Sequence, residues 1–306
     1  MPTKAVFFIG GCAGTSGPAT ARISCPSART RAPLIEPISR GVFGTLTTSF
    51  GFVSGDTGAF VDNGSGVSNV VPFLVAQQLK HIFGLQTHYH LDHRNGLPTN
   101  RLLFMKGKVD SIYCPKLNGR SFQELVESDF SEESWPVSPK KLGVELAFKE
   151  FVSGEALPIL GGVATFALKH PGGAVAFKFV VDGKTVVIAT DNELGDDGQS
   201  QEYADFVSGA DLLYADVQYR QPEYLGEVGI EGDTAFIRKG WGHSTPEMFR
   251  RVLSSCSTPP KLLIAGHHEP RRSDEDLERL EGEMQALFKA EKTQVRFARE
   301  LDVYNL

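Results

Sequence analysis

The segment Thr87-His88-Tyr89-His90-Leu91-Asp92-His93 gathers three imidazoles and a carboxylate between His88 and His93. An apolar, strand-like run over 82–85 precedes it, so His88 and His90, two residues apart at the end of an extended stretch, project to the same side. The chain must then turn before Gly96-Leu97-Pro98, which directs Asp92 and His93 toward a neighbouring point. Two adjacent ligand groups can come from so short a segment. Imidazole and carboxylate are the donors that zinc and its neighbours take, and a hydrolytic site leaves a coordination position for water. The bland alternative is surface or satisfied core histidines. It is disfavoured because, of eight histidines, only His81 lies away from a position suited to such a site.

The rest of the chain supplies a strand-rich frame. Runs rich in Val, Ile and Phe, bounded by Gly, Asp or Asn, predict strands over 5–9, 59–62, 111–114, 163–168, 174–181, 185–189, 212–215 and 262–265. Apolar spacing predicts helices over 69–80, 199–207, 246–254 and 274–289, with Ser244 and Thr245 supplying a cap before Pro246. The stretch 11–40, full of Gly, Pro, Ser and Arg, reads as a long irregular loop. The stretch 124–141, with its acidic Glu127-Ser128-Asp129 cluster, reads as a solvated face and connector. No repeat or low-complexity linker divides the chain, so a single hydrolase domain over 1–306 is expected.

Composition narrows the partners. Lys and Arg number 31 against 37 Asp and Glu, a net charge of -6, so no global attraction to nucleic acid or anionic membrane is built in. Cys12, Cys25, Cys114 and Cys256 form no Cys-x-x-Cys pair and no disulfide framework, which points to a reducing, cytoplasmic setting. Lys4 followed by residues 5–12 superficially resembles a lipoprotein signal, but its apolar run is shorter than the usual h-region of about 7–15 residues. A first buried strand explains it. Nothing approaches the roughly 18 apolar residues of a membrane span.

The loop resembles the His-x-His-x-Asp-His signature of the metallo-β-lactamase superfamily, and the resemblance continues down the chain. His170 in Leu168-Lys169-His170-Pro171-Gly172-Gly173 is similar to the third histidine of that family, Asp191 in Ala189-Thr190-Asp191 to its bridging carboxylate, and His267, before His268-Glu269-Pro270, to its last ligand. The resemblance implies an α/β fold, a four-layer αββα sandwich of two mixed β-sheets. It also implies two divalent ions, Zn²⁺ with Mn²⁺ or Fe²⁺ as alternatives. His88, His90 and His170 would take the first ion and Asp92, His93 and His267 the second, with Asp191 joining them. His267 is preferred over His268 because it directly follows the strand, and His268 then stands behind it. Asp62 in Phe60-Val61-Asp62-Asn63-Gly64 fits a carboxylate that orients a ligand imidazole, or else a plain turn residue.

Gly242-His243-Ser244-Thr245 and Tyr214-Ala215-Asp216 resemble the phosphodiesterase-like members related to ribonuclease Z, where a histidine outside the metal shell pairs with an acidic residue. His243, Asp216 and Asp92 are the catalytic residues this implies, in a hydrolysis where a hydroxide between the two ions attacks phosphorus and His243 assists the leaving alkoxide. The likeness to ribonuclease Z stops at substrate recognition. Its long transfer-RNA-binding arm often lies between the third histidine and the bridging aspartate, but His170 and Asp191 are joined here by a short strand-turn-strand. A small phosphodiester, cyclic nucleotides included, is therefore the expected substrate, with Arg40, Lys239, Arg271 and Arg272 as candidate phosphate contacts or simply solvated surface. Two alternatives stay open: a lactone, thioester or β-lactam hydrolase with the same metal pair, and a non-catalytic metal-stabilised binding protein. The family also implies a homodimer, although no segment announces an interface.

Overall fold

The computed structural model describes residues 5–14, 43–195, 199–230 and 232–306. In chain order its first half holds β1 (Val6–Gly11), β2 (Ser49–Ser54), β3 (Thr57–Val61), α1 (Val67–Ala76), β4 (His81–Leu85), β5 (Ser111–Pro115), α2 (Phe122–Asp129) and β6 (Phe148–Phe151). The second half holds β7 (Val163–Leu168), β8 (Ala174–Val181), β9 (Lys184–Ala189), α3 (Gln199–Val207), β10 (Leu212–Asp216), α4 (Gln221–Tyr224), α5 (Pro246–Ser254), β11 (Leu262–Gly266), α6 (Asp274–Leu287), β12 (Gln294–Phe297) and β13 (Val303–Asn305).

These strands form two sheets, ordered β13-β1-β2-β3-β4-β5-β6 and β12-β11-β10-β9-β8-β7. Both are mixed. In the first, β13, β1, β2 and β3 pair antiparallel and β3 to β6 parallel. In the second, β9 to β12 run parallel and β7, β8 and β9 antiparallel. Strands of nearly continuous apolar residues need cover on both faces, and these have it. Phe7, Phe50 and Phe52 of the first sheet meet Phe177, Phe179 and Tyr214 of the second in one buried cluster. The Phe52 and Phe179 rings stack at 4.6 Å, and Phe50 meets Tyr214 edge-on at 4.5 Å. The outer face of the first sheet is covered by α1 and α2 through Val70, Leu74 and Phe122. The outer face of the second is covered by α3, α5 and α6 through Val207, Phe249 and Leu277. The result is the four-layer αββα sandwich of two mixed sheets.

Two parts of the chain differ from the sequence expectation. The stretch predicted as a solvated connector contains α2, which starts in a capping box: Ser121 Oγ accepts from Glu124 N, and Glu124 returns the bond to Ser121 N. Strands β2, β6, β12 and β13 were not predicted from sequence. The predicted irregular loop over 11–40 is described only to residue 14; its remainder, with Cys25 and Arg40, lies outside the described residues. The lipoprotein-like start is instead β1, in the interior of a sheet, and Cys12, Cys114 and Cys256 are free thiols. Among the described residues no helix is long and apolar enough to cross a membrane.

Candidate metal centre

The candidate site residues collect at one edge of the sandwich. Asp62 follows β3, His88 follows β4, His170 follows β7, Asp191 follows β9, Asp216 ends β10 and His267 follows β11. These strands share a direction within each sheet, so their carboxyl ends open on one crevice, where α/β sheets place their ligands. Three of the residues take a backbone that side chains normally avoid: φ is 60° at Asp62, 56° at Asp191 and 57° at His267. Left-handed backbone at residues without glycine's freedom is held only where surrounding structure imposes it, and it clusters at functional sites.

Two ligand groupings result. Ring nitrogens of His88, His90 and His170 lie within 4.8 Å of one another, and so do donor atoms of Asp92, His93, Asp191 and His267. Asp191 faces both. Its Oδ1 is 3.9 Å from His88 Nε2, 3.8 Å from His170 Nε2 and 3.2 Å from His267 Nε2, while its Oδ2 is 3.2 Å from His93 Nε2. The donor set suits divalent cations on chemical grounds. His88 Nε2 is buried without a hydrogen-bond partner, a costly state for a lone pair unless a cation takes it.

Proton affinities separate the two groups. Burial pushes His88 well below the ordinary imidazole range and His170 down to about 4, and it lowers His90, so this triad presents neutral rings. Burial also opposes charge on His93 and His267. There, however, the carboxylates of Asp191 and Asp92 outweigh it, raising His93 and taking His267 up to about 9. Asp92 and Asp191 are in turn held low against their own burial by His93 and His267.

A buried shell fixes these rings. Asp62 accepts from Thr87 N at 2.8 Å and Thr87 Oγ1 at 2.7 Å, and its Oδ2 meets His93 Nδ1 at 2.7 Å. His170 Nδ1 bonds the carbonyl of Gly242 at 3.1 Å. Gly242 itself has φ 91°, and a Cβ there would stand 2.0 Å from His170 Nδ1, so glycine is required for that approach. The Gln86 amide donates to the carbonyls of His88 and His93, each at 2.8 Å, tying the His-rich loop into one piece. Helix α2 buttresses the same loop through an Arg94–Asp129 ion pair and a Tyr89–Phe122 stack at 5.3 Å.

His243 Nδ1 lies 2.6 Å from Asp216 Oδ2, and both residues group with Asp191 and His267. The His243 ring stacks on that of His267 at 4.9 Å. A pocket of about 320 Å³ opens here, lined by His90, His170, Pro171, Asp191, Gly240, Trp241 and His243. Its rim is clamped by Glu193, whose carboxylate accepts from Gly240 N at 2.8 Å, Gly242 N at 2.8 Å and Tyr224 Oη at 2.6 Å. Sequence reasoning passed over both Glu193 and Gln86. Glu193 follows Asp191-Asn192 directly, but only the folded chain brings 240–242 to it.

Not every expected residue joins the site. His268 turns its Nε2 to the carbonyl of Ala298 at 2.9 Å and stacks on Phe297, and it belongs to neither ligand grouping. Of the candidate phosphate contacts, Arg272 is buried between Glu223 and Asp276, where it serves the fold, and Arg271 pairs with Glu269 and Asp233. Lys239 is exposed beside the pocket wall.

Comparisons with known proteins agree with this geometry. Residues 69–268 match the family described as the Beta-lactamase superfamily domain. No curated protein matches the chain in sequence. Solved structures do share its architecture. Yeast PDE1 is 14% identical, with 99% of this chain and 100% of that one covered at a TM-score of 0.65. A diphosphatase from the PhnP family is 16% identical, with 99% and 97% covered at 0.60. The short form of human tRNase Z is 16% identical, with 97% and 98% covered at 0.58. At such identity the likeness speaks for the fold alone.

Proposed function

Because the chain belongs to the β-lactamase superfamily, whose members are mostly metal-dependent hydrolases, we propose that it is a binuclear metal-dependent phosphodiesterase acting on small phosphodiesters. The observation that carries the reading is the Asp216–His243 pair at the lip of the pocket. His88, His90 and His170 would hold one cation, Asp92, His93 and His267 the other, and Asp191 would touch both, with Zn²⁺ the best match to so many imidazoles. When bound, such cations bring water's pKa down toward about 7 and screen charge that develops on phosphoryl oxygens.

The chain's own residues supply the rest. Asp216 occupies His243 Nδ1 and so fixes the ring, leaving Nε2 to carry a proton to the leaving oxygen. Asp62 and the carbonyl of Gly242 hold ligand rings in orientation. Two features favour a small substrate over transfer RNA. The pocket sits at the low end of the roughly 300–1,000 Å³ typical of small-ligand sites. Between His170 and Asp191 the chain spends its length on β8, a two-residue turn at Asp182-Gly183 and β9, which supports the reading without a transfer-RNA arm.

The test is a parallel assay of Zn²⁺-loaded protein on bis(p-nitrophenyl) phosphate, a lactone and a cephalosporin. Turnover of the phosphodiester is expected, and His243→Ala should lower it about 10²–10⁴-fold with metal content unchanged. Ester or lactam turnover with phosphodiester silence would overturn the assignment, as would a fully active His243→Ala.

A further inference from the structure

The pocket has a second wall that the hydrolytic chemistry does not use. Trp241 lines it yet keeps 50% of its surface exposed. An isolated exposed aromatic calls for no explanation, but this one is neither isolated nor loose. The Phe236 ring lies 5.4 Å from it, also exposed. Beneath Phe236, at 4.1 Å from the ring, sits the guanidinium of Arg238, only 1% exposed. Arg238 anchors the segment by donating through Nη1 to the carbonyls of Glu223 at 2.9 Å and Phe236 at 3.3 Å.

The backbone around Trp241 is equally fixed. Trp241 N donates to the carbonyl of Arg238 at 3.1 Å, and the amides of Gly240 and Gly242 on either side are held by Glu193. The backbone that carries this large flat indole, half in water on the wall it shares with His243, is thus held in place. Such a surface recognises a flat partner, because aromatic faces gain by stacking and a preorganised loop loses little entropy when they do.

From this juxtaposition we propose that Trp241, backed by Phe236, is the specificity-determining platform of the site and stacks a planar aromatic group attached to the substrate's phosphate, a nucleobase in particular. This rests on the phosphodiesterase reading, and the experiment separates the two. The chain has two tryptophans, so Trp135→Phe leaves Trp241 as the only indole. Its fluorescence is titrated with adenosine 5′-monophosphate, phenyl phosphate and ribose 5-phosphate, with and without Zn²⁺, and needs no turnover.

The platform predicts quenching by the nucleotide and binding about tenfold tighter than ribose 5-phosphate, the size of one base–aromatic stack. Phenyl phosphate matching the nucleotide would assign the wall to simple aryl groups and overturn the nucleobase. In steady state, Trp241→Leu should raise KM about tenfold more for a cyclic adenosine phosphate than for a methyl alkyl phosphodiester, while Trp241→Phe restores most of the difference. Equal affinity for nucleotide and ribose phosphate, or an equal KM change for both substrates, overturns the platform. Nucleotide quenching in a protein that hydrolyses no phosphodiester would overturn the phosphodiesterase reading and leave the platform standing.

Discussion

Asp62 shows how a residue outside the ligand groupings governs one inside. Its two oxygens hold Thr87 and His93 at once, and its left-handed backbone is one that asparagine also adopts readily. Asp62→Asn should therefore keep the turn and weaken zinc binding about 10–100-fold, measured by competition with a chromophoric chelator. His267 sets a pH dependence. Folding raises its proton affinity to about 9, against about 6.5 in an unfolded chain. Its ion pairs with Asp92 and Asp191 consequently stabilise the metal-free protein fully below about pH 6.5, and that contribution is lost as pH rises through about 9. Denaturant titrations of chelator-treated protein at both ends of this interval should show the loss, and His267→Asn should flatten it.

The loop 236–242 behaves as an element although it has no regular secondary structure, because Glu193 gathers its amides. Glu193→Ala removes the acceptor of the buried donor Gly242 N. The variant should lose about 1–3 kcal/mol of stability, read in a denaturation midpoint, and its KM should rise more than its kcat falls. This loop also marks how far the sequence is legible. His88 to His93 announce themselves because their chemistry is local and dense. His170, Asp191 and His267 could be picked out by family pattern, each following an apolar strand. Glu193 could not, since its role exists only once residues 47 positions away have folded back onto it. Helix α2 had a readable Ser121-x-x-Glu124 signature, but the acidic run after it drew attention to solvent instead. His268 follows His267 and shares its chemistry, and only the backbone turn, with φ of 57° at His267, tells their directions apart.

At the scale of the molecule, stability rests on the seam between the sheets. Phe179 is fully buried and stacks across that seam on Phe52. Phe179→Ala should cost about 3–5 kcal/mol, seen as a shifted denaturant midpoint with an unchanged slope. The layers were inferable in advance from strand content and family pattern, whereas the order within each sheet was not. β13, three residues near the chain's end, pairs with β1 at its beginning, and neither segment carries a mark of the other.

The seven side chains of the candidate centre come from both sheets: residues 88–93 follow the first, and 170, 191 and 267 project from the second. A cation held among them would therefore also be a rivet between the two sheets, beside the backbone bonds that already join them there, His268 N to the carbonyl of Cys12 and Val175 N to that of Thr87. Closing the long stretch between Asp92 and His267 restricts the unfolded chain much as a disulfide would. An ion bound there for chemistry would thus also act as a removable cross-link, and chelation would loosen the sandwich at that edge.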